Sequence, residues 1–176
     1  MAFAGPGAFN DYAAKLHSLQ PYFTVFNIGL AALGLVHIVV GIILFFENLK
    51  ARPTNYEMYR NPGGRTLGSN TMPYTGALIL VFVVVHLLKF TFVDKSVTPI
   101  FQLMAAAFAN PWYVILYVAA MVIVALHISH GFWSLFQTFG VNHPRHMPLI
   151  MTLGLVATFV FGIGFASLPI YLYLIN

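Results

Sequence analysis

The sequence predicts an all-α membrane protein, a bundle of four transmembrane helices. Composition is the first reason. Only 7% of the 176 residues are charged and 60% are hydrophobic, with a mean hydropathy of +0.84, whereas a soluble domain carries roughly 25% charged residues. The second reason is four apolar runs, at about 21–46, 72–93, 112–136 and 148–174, each long enough for the roughly 20 residues that a bilayer crossing needs. The third is placement of aromatics. Trp112, Trp133, Tyr74, Tyr171 and Tyr173 lie toward the ends of these runs, as side chains at the membrane–water boundary do. By length, residues 1–176 form one unit.

In chain order, residues 1–20 form an N-terminal segment before the first run. It lacks a basic start followed by a short apolar core, so no cleavable signal peptide is expected. Within "LVHIVVGIILFF" of the first run, His37 is the single polar residue. A long polar connection follows at 47–71, "ENLKARPTNYEMYRNPGGRTLGSNT", whose Pro53 and Pro62-Gly63-Gly64 argue against a continuous helix. The second run carries His86, and "DKSVTPIFQ" after it reads as a shorter loop. The third carries His127 and His130 and ends in the tight "GVNHPRH". The fourth has no histidine. Its Gly154, Thr158, Gly162 and Ala166 form a small-residue ridge suited to helix packing, and Pro169 is expected to kink or fray its last turns.

Charge sets orientation. Lys50, Arg52, Arg60, Arg65 and Arg145 fall on one side, in loops 47–71 and 137–147, and Lys15, Lys89 and Lys95 lie near the other. The positive-inside rule places both loops in the cytoplasm and both ends of the chain outside. The net charge of +4 is thus accounted for without nucleic acid. Cysteine is absent, which excludes disulfides, cysteine-held Fe–S clusters and thioether-attached haem on this chain.

The histidines remain. Ionisable groups inside a membrane are costly and mark function. His37 and His127 each lie about nine residues from the cytoplasmic end of a run, ~14 Å below one surface. His86 belongs to a second, outer level. In an up-and-down bundle the first and third helices face each other across the centre, so His37 and His127 can ligate one b-type haem from both sides. Each is followed four residues on by a glycine, Gly41 and Gly131, on the same helix face, where a missing side chain leaves room for a flat porphyrin. A proton or ion path and plain interhelical hydrogen bonding fit the same spacing. His130, one turn from His127, is expected as a hydrogen-bond partner, for instance of a haem propionate. His17, His143 and His146 read as solvated.

These segments resemble a family. "GAFNDYAAKL", "VHIVVGIILFFENLKARPTNY", "TGALILVFVVVHLLKF" and "LHISHGFWSLFQTFG" are similar, across essentially the whole chain, to the single-chain cytochrome b membrane anchor of succinate:quinone oxidoreductases, the succinate dehydrogenase and fumarate reductase complexes. The resemblance implies one transmembrane cytochrome b domain over 1–176, with His37 and His127 on an inner haem b and His86 on an outer one. The family's first, histidine-bearing helix is not represented, so the chain is expected to carry one or two haems: either the partner of His86 lies upstream of the given start, or the inner haem stands alone. In "GSNTM", Ser69 stands where relatives often carry an arginine.

The resemblance further implies electron transfer between a cytoplasmic Fe–S subunit, itself served by a flavoprotein, and a membrane quinone, with menaquinone expected. The setting would be a prokaryotic cytoplasmic membrane. Succinate chemistry would lie off this chain. Arg60, Arg65 and Arg145 are candidates to neutralise propionates, and Asp11 is the candidate for quinone-linked proton transfer, with Asp94 the other outer acid. Competing expectations are the cytochrome b anchor of another quinone-linked dehydrogenase, such as a formate dehydrogenase or hydrogenase, a histidine-based proton conductor, and a structural scaffold.

Overall fold

The computed structural model describes residues 2–51, 66–93 and 98–176. Seven α-helices make up the fold among them: α1 (Pro6–Ser18), α2 (Tyr22–Ala51), α3 (Leu67–His86), α4 (Ile100–Phe108), α5 (Pro111–Thr138), α6 (Met147–Phe159) and α7 (Phe165–Leu174). A π-helical turn, Leu87–Thr91, extends α3, and another, Val160–Gly164, joins α6 to α7. The four helices long and apolar enough to span are therefore Tyr22–Ala51, Leu67–Thr91, Pro111–Thr138 and Met147–Leu174. The protein is a multi-pass membrane protein.

The spans differ from the sequence expectation mostly at their ends, for local reasons. α2 does not stop at 46. Glu47, Leu49, Lys50 and Ala51 are good helix formers, and Lys50 lies in the last turn, where a cation suits the helix dipole. α3 begins at Leu67 rather than 72. Thr66 Oγ1 accepts the Ser69 backbone N–H at 3.1 Å and Ser69 Oγ accepts that of Thr66 at 3.0 Å. This capping box uses serine where glutamate is usual. Ser69, at the position where an arginine was expected from the resemblance, thus starts a helix. The polar connection correspondingly shortens at both ends, and its proline and glycine cluster at 52–65 lies outside the described residues.

Two helices in the connections were not expected. α4 is a nine-residue apolar helix, too short to cross, where a loop was expected. α1 occupies most of the N-terminal segment. Gly5, at φ 95°, turns the chain into it, in backbone space that residues with a Cβ rarely adopt, and Pro6 occupies its first position. Asn10 ties α1 to α4. Its Oδ1 accepts the Phe101 N–H at 3.1 Å and its Nδ2 donates to Gln102 Oε1 at 3.3 Å.

α5 is the hub. Asn110 caps its start by accepting the Trp112 N–H at 2.9 Å. Gly140 at φ 78° closes its end, with Val141 N–H on the Phe136 carbonyl and Gly140 N–H on that of Gln137, the paired bonds of a Schellman stop. One face of α5 meets α3 and the opposite face meets α6 and α7. The small-residue ridge packs there: a Cβ on Gly154 would stand 3.1 Å from the Phe132 ring, and one on Gly162 would stand 2.9 Å from Ala125 Cβ. Pro169 removes a donor inside α7, yet the helix runs on to Leu174.

The buried core sits at the end of the bundle where α4 and α7 meet. It comprises Phe90, Phe101, Ala107, Phe108, Tyr117 and Leu172, with Phe9 of α1 packed against it. α2 is the opposite case. None of its residues is buried, and it packs sparsely, on α3. The expected four-helix square is thus a row of α3, α5 and α6–α7, with α2 standing off it.

Candidate functional site

α3 and α5 run antiparallel, so residues early in one meet residues late in the other. This brings Thr75 and Gly76 of α3 to the level of His127, Gly68 to that of His130, and His86 to that of Tyr117. The two-level arrangement of the histidines follows. Ten residues of α5 separate Tyr117 from His127, about 15 Å along the axis.

At the inner level, His127 faces His37 of α2. Their ring centroids are 6.1 Å apart and the ring planes are nearly perpendicular, at 87°. A metal–imidazole nitrogen bond is about 2.1 Å and the ring centre lies about 1.1 Å further on, so two imidazoles on opposite sides of one metal hold their centroids about 6.4 Å apart. The observed separation fits that pairing. No group of three or more His, Cys, Asp or Glu side chains able to hold a metal ion occurs among the described residues. A donor set of two imidazoles suits a metal whose other ligands come with it, as in a porphyrin, and not a bare ion held by protein alone. On its other side His127 Nδ1 lies 3.0 Å from Thr75 Oγ1.

The two glycines that follow these histidines meet different surroundings. Space beside Gly131 is taken by Met72, whose Cε would stand 3.1 Å from an added Cβ. Gly41 faces open space, with nothing within 4 Å; it belongs to α2, which stands off the bundle. Close approach of helices is instead secured from α3. A Cβ on Gly68 would stand 2.9 Å from His130 Cβ and from Ser129 Oγ, and one on Gly76 would stand 3.4 Å from His127 Cε1. Sequence shows which residues share a face with a histidine, but not which helix presses on it. Gly68 and Gly76 were missed for that reason, and so was Thr75.

His130 lies edge-on to Trp133, with centroids 4.7 Å apart. Its Nδ1 is buried and makes no hydrogen bond among the described residues. At the outer level, His86 Nδ1 lies 3.3 Å from the hydroxyl of Tyr117, and Phe82, Phe90 and Tyr117 are its ring neighbours at 5.9, 5.5 and 6.0 Å. Among the described residues its surroundings are aromatic side chains. Asp11 is exposed on α1, and Arg145 is exposed in the loop after α5. Arg60, Arg65 and Asp94 lie outside the described residues. Compared with protein-family models, with curated proteins and with solved structures, the chain matches none.

Proposed function

We propose that this chain is the haem b membrane anchor of a succinate:quinone oxidoreductase, with His37 and His127 as the axial ligands of one haem. The observation that carries the reading is the pair of imidazoles, 6.1 Å apart on two membrane-spanning helices. Two further features support it: the two-histidine donor set, and the sparse packing of α2, a helix with no buried residue. Bound there, haem would supply one-electron carriage across the apolar interior. The chain's own part is to place two ring nitrogens, to keep water out with apolar spans, and to fix ring orientation from α3.

In this reading the protein sits in a prokaryotic cytoplasmic membrane with loops 47–71 and 137–147 on the cytoplasmic side. Lys50 and Arg145 lie at that end, where an Fe–S subunit, fed by a flavoprotein, would dock. Quinone, expected to be menaquinone, would exchange electrons at the outer level, with Asp11 as the candidate proton-exchanging group. His86 is the outer haem candidate of this proposal; its ring neighbours among the described residues are Phe82, Phe90 and Tyr117.

The test is a reduced-minus-oxidised visible spectrum of the purified chain, with haem counted per polypeptide. A b-type spectrum that disappears in His127→Ala supports the reading. A folded, haem-supplied preparation without haem overturns it and brings the proton-conducting reading forward. Quinone-linked turnover unchanged in Asp11→Asn would remove Asp11 from the proposal.

A further inference from the structure

Thr75 is the polar side chain found buried among the described residues, 5% exposed. Its hydroxyl lies 3.1 Å from the carbonyls of both Thr71 and Met72 in its own helix, and 3.0 Å from His127 Nδ1 in the neighbouring one. A hydroxyl has one proton and accepts with its remaining lone pairs, and a neutral imidazole has one N–H and one free lone pair. Two carbonyls on the helix side compete for the single hydroxyl proton, so the oxygen turns lone pairs toward the ring. Nδ1 then carries the ring proton. Gly76, the next residue, keeps the ring flush against α3, since a Cβ there would already touch Cε1 at 3.4 Å.

We propose that Thr75 is the positioning residue of His127, holding its ring as the Nδ1–H tautomer so that Nε2 presents the free lone pair toward His37. The inference deepens the haem reading and rests on it for the use made of Nε2. Histidines that bind metals commonly donate the other ring N–H to a fixed acceptor, which sets tautomer, orientation and basicity. His37 has no hydrogen bond among the described residues and rides on a helix with no buried residue. The two ligands are therefore unequal: His127 is set in advance by α3, and His37 is brought to it by α2.

The first test needs no haem. The full chain, labelled with 15N at histidine and purified in detergent before haem is supplied, is read by two-bond 1H–15N correlation, with His127→Gln identifying the signal. The Nδ1–H form is expected to dominate. Thr75→Val, which keeps the shape and loses the hydroxyl, is expected to raise the Nε2–H population several-fold, and Thr75→Ser to restore the original ratio. A dominant Nε2–H form in the unaltered chain overturns the proposal without any variant having to fold, as does an unchanged ratio in Thr75→Val. The second test uses the haem-loaded chain. Loss of the acceptor makes the imidazole a poorer donor, so Thr75→Val is expected to raise the reduction potential while the six-coordinate spectrum persists, with Thr75→Ser close to the original. A haem-loaded Thr75→Val with unchanged potential overturns it. A chain with the Nδ1–H form that takes up no haem would overturn the haem reading and leave the role of Thr75 standing.

Discussion

The two ends of the α3–α5 pair differ in what surrounds their histidines. At the outer level an aromatic core forms beside His86, whose own side chain stays exposed. Phe82, Phe90, Phe108 and Tyr117 touch ring to ring, α4 covers them, and Asn176 at the end of the chain donates to the Ala105 carbonyl of α4. At the inner level His127 is partly buried between helices. α3 presses on its ring through Thr75 and Gly76, and the ring of His37 stands 6.1 Å away on a helix that packs sparsely among the described residues. A protein interior is close-packed, and the aromatic core supplies that packing at the outer end, while the inner end is marked by two imidazoles from different helices facing each other.

The comparison can be broken most directly at the ligands. His127→Ala is expected to abolish haem binding. His37→Ala is expected to leave a fraction of the haem as a five-coordinate, high-spin form that binds carbon monoxide, because the ligand fixed by α3 remains. Equal loss in the two variants, measured as haem per chain, would contradict the inequality of the pair. The next effect in size is at the closed end. Leu172 is 0% exposed, and Leu172→Ala should cost about 2–5 kcal/mol of stability. Leu35→Ala on α2, where the leucine is 62% exposed, should stay within about 0.5 kcal/mol. Unfolding in mixed micelles compares the two.

Smaller effects sharpen the contrast between glycines. Gly68→Ala would force a Cβ to within 2.9 Å of His130 Cβ and 3.1 Å of the Leu126 carbonyl. It should cost about 1–3 kcal/mol as α3 is pushed from α5. Gly41→Ala meets open space and should leave stability unchanged. Haem lost specifically in Gly41→Ala would support the expectation that this glycine makes room for a porphyrin. The smallest effect is expected for Tyr117→Phe, which removes the hydroxyl at His86 and should cost about 0.5–1.5 kcal/mol, readable in the same unfolding assay.

Much of the fold was legible because a membrane span announces itself by length and apolarity. All four spans lie where the apolar runs do. α4 was not legible, since nine apolar residues neither cross a bilayer nor display enough turns to stand out from a loop. Nor was the start of α3, because its cap uses Ser69. In the site, the facing of His37 and His127 followed from their shared depth and from the order of the helices, both of which depend only on position along the chain. Thr75 depends on which helix lies opposite His127 and on a hydroxyl proton already engaged at home, and neither is written in local sequence. Gly131 shows the same limit in reverse: it shares a face with His127, but Met72 of another helix reaches the space first.

α2 has 30 residues, about 45 Å of helix, against a hydrocarbon layer of about 30 Å. A rod longer than the layer it crosses tilts. Among the described residues little holds this one sideways, and in a rod that tilts the two ends sweep the widest arcs. His37 is the sixteenth residue of the 30, almost at mid-length. It sits at the fulcrum, where changes of tilt move a side chain least, so a loosely held helix can still deliver its imidazole to a steady point.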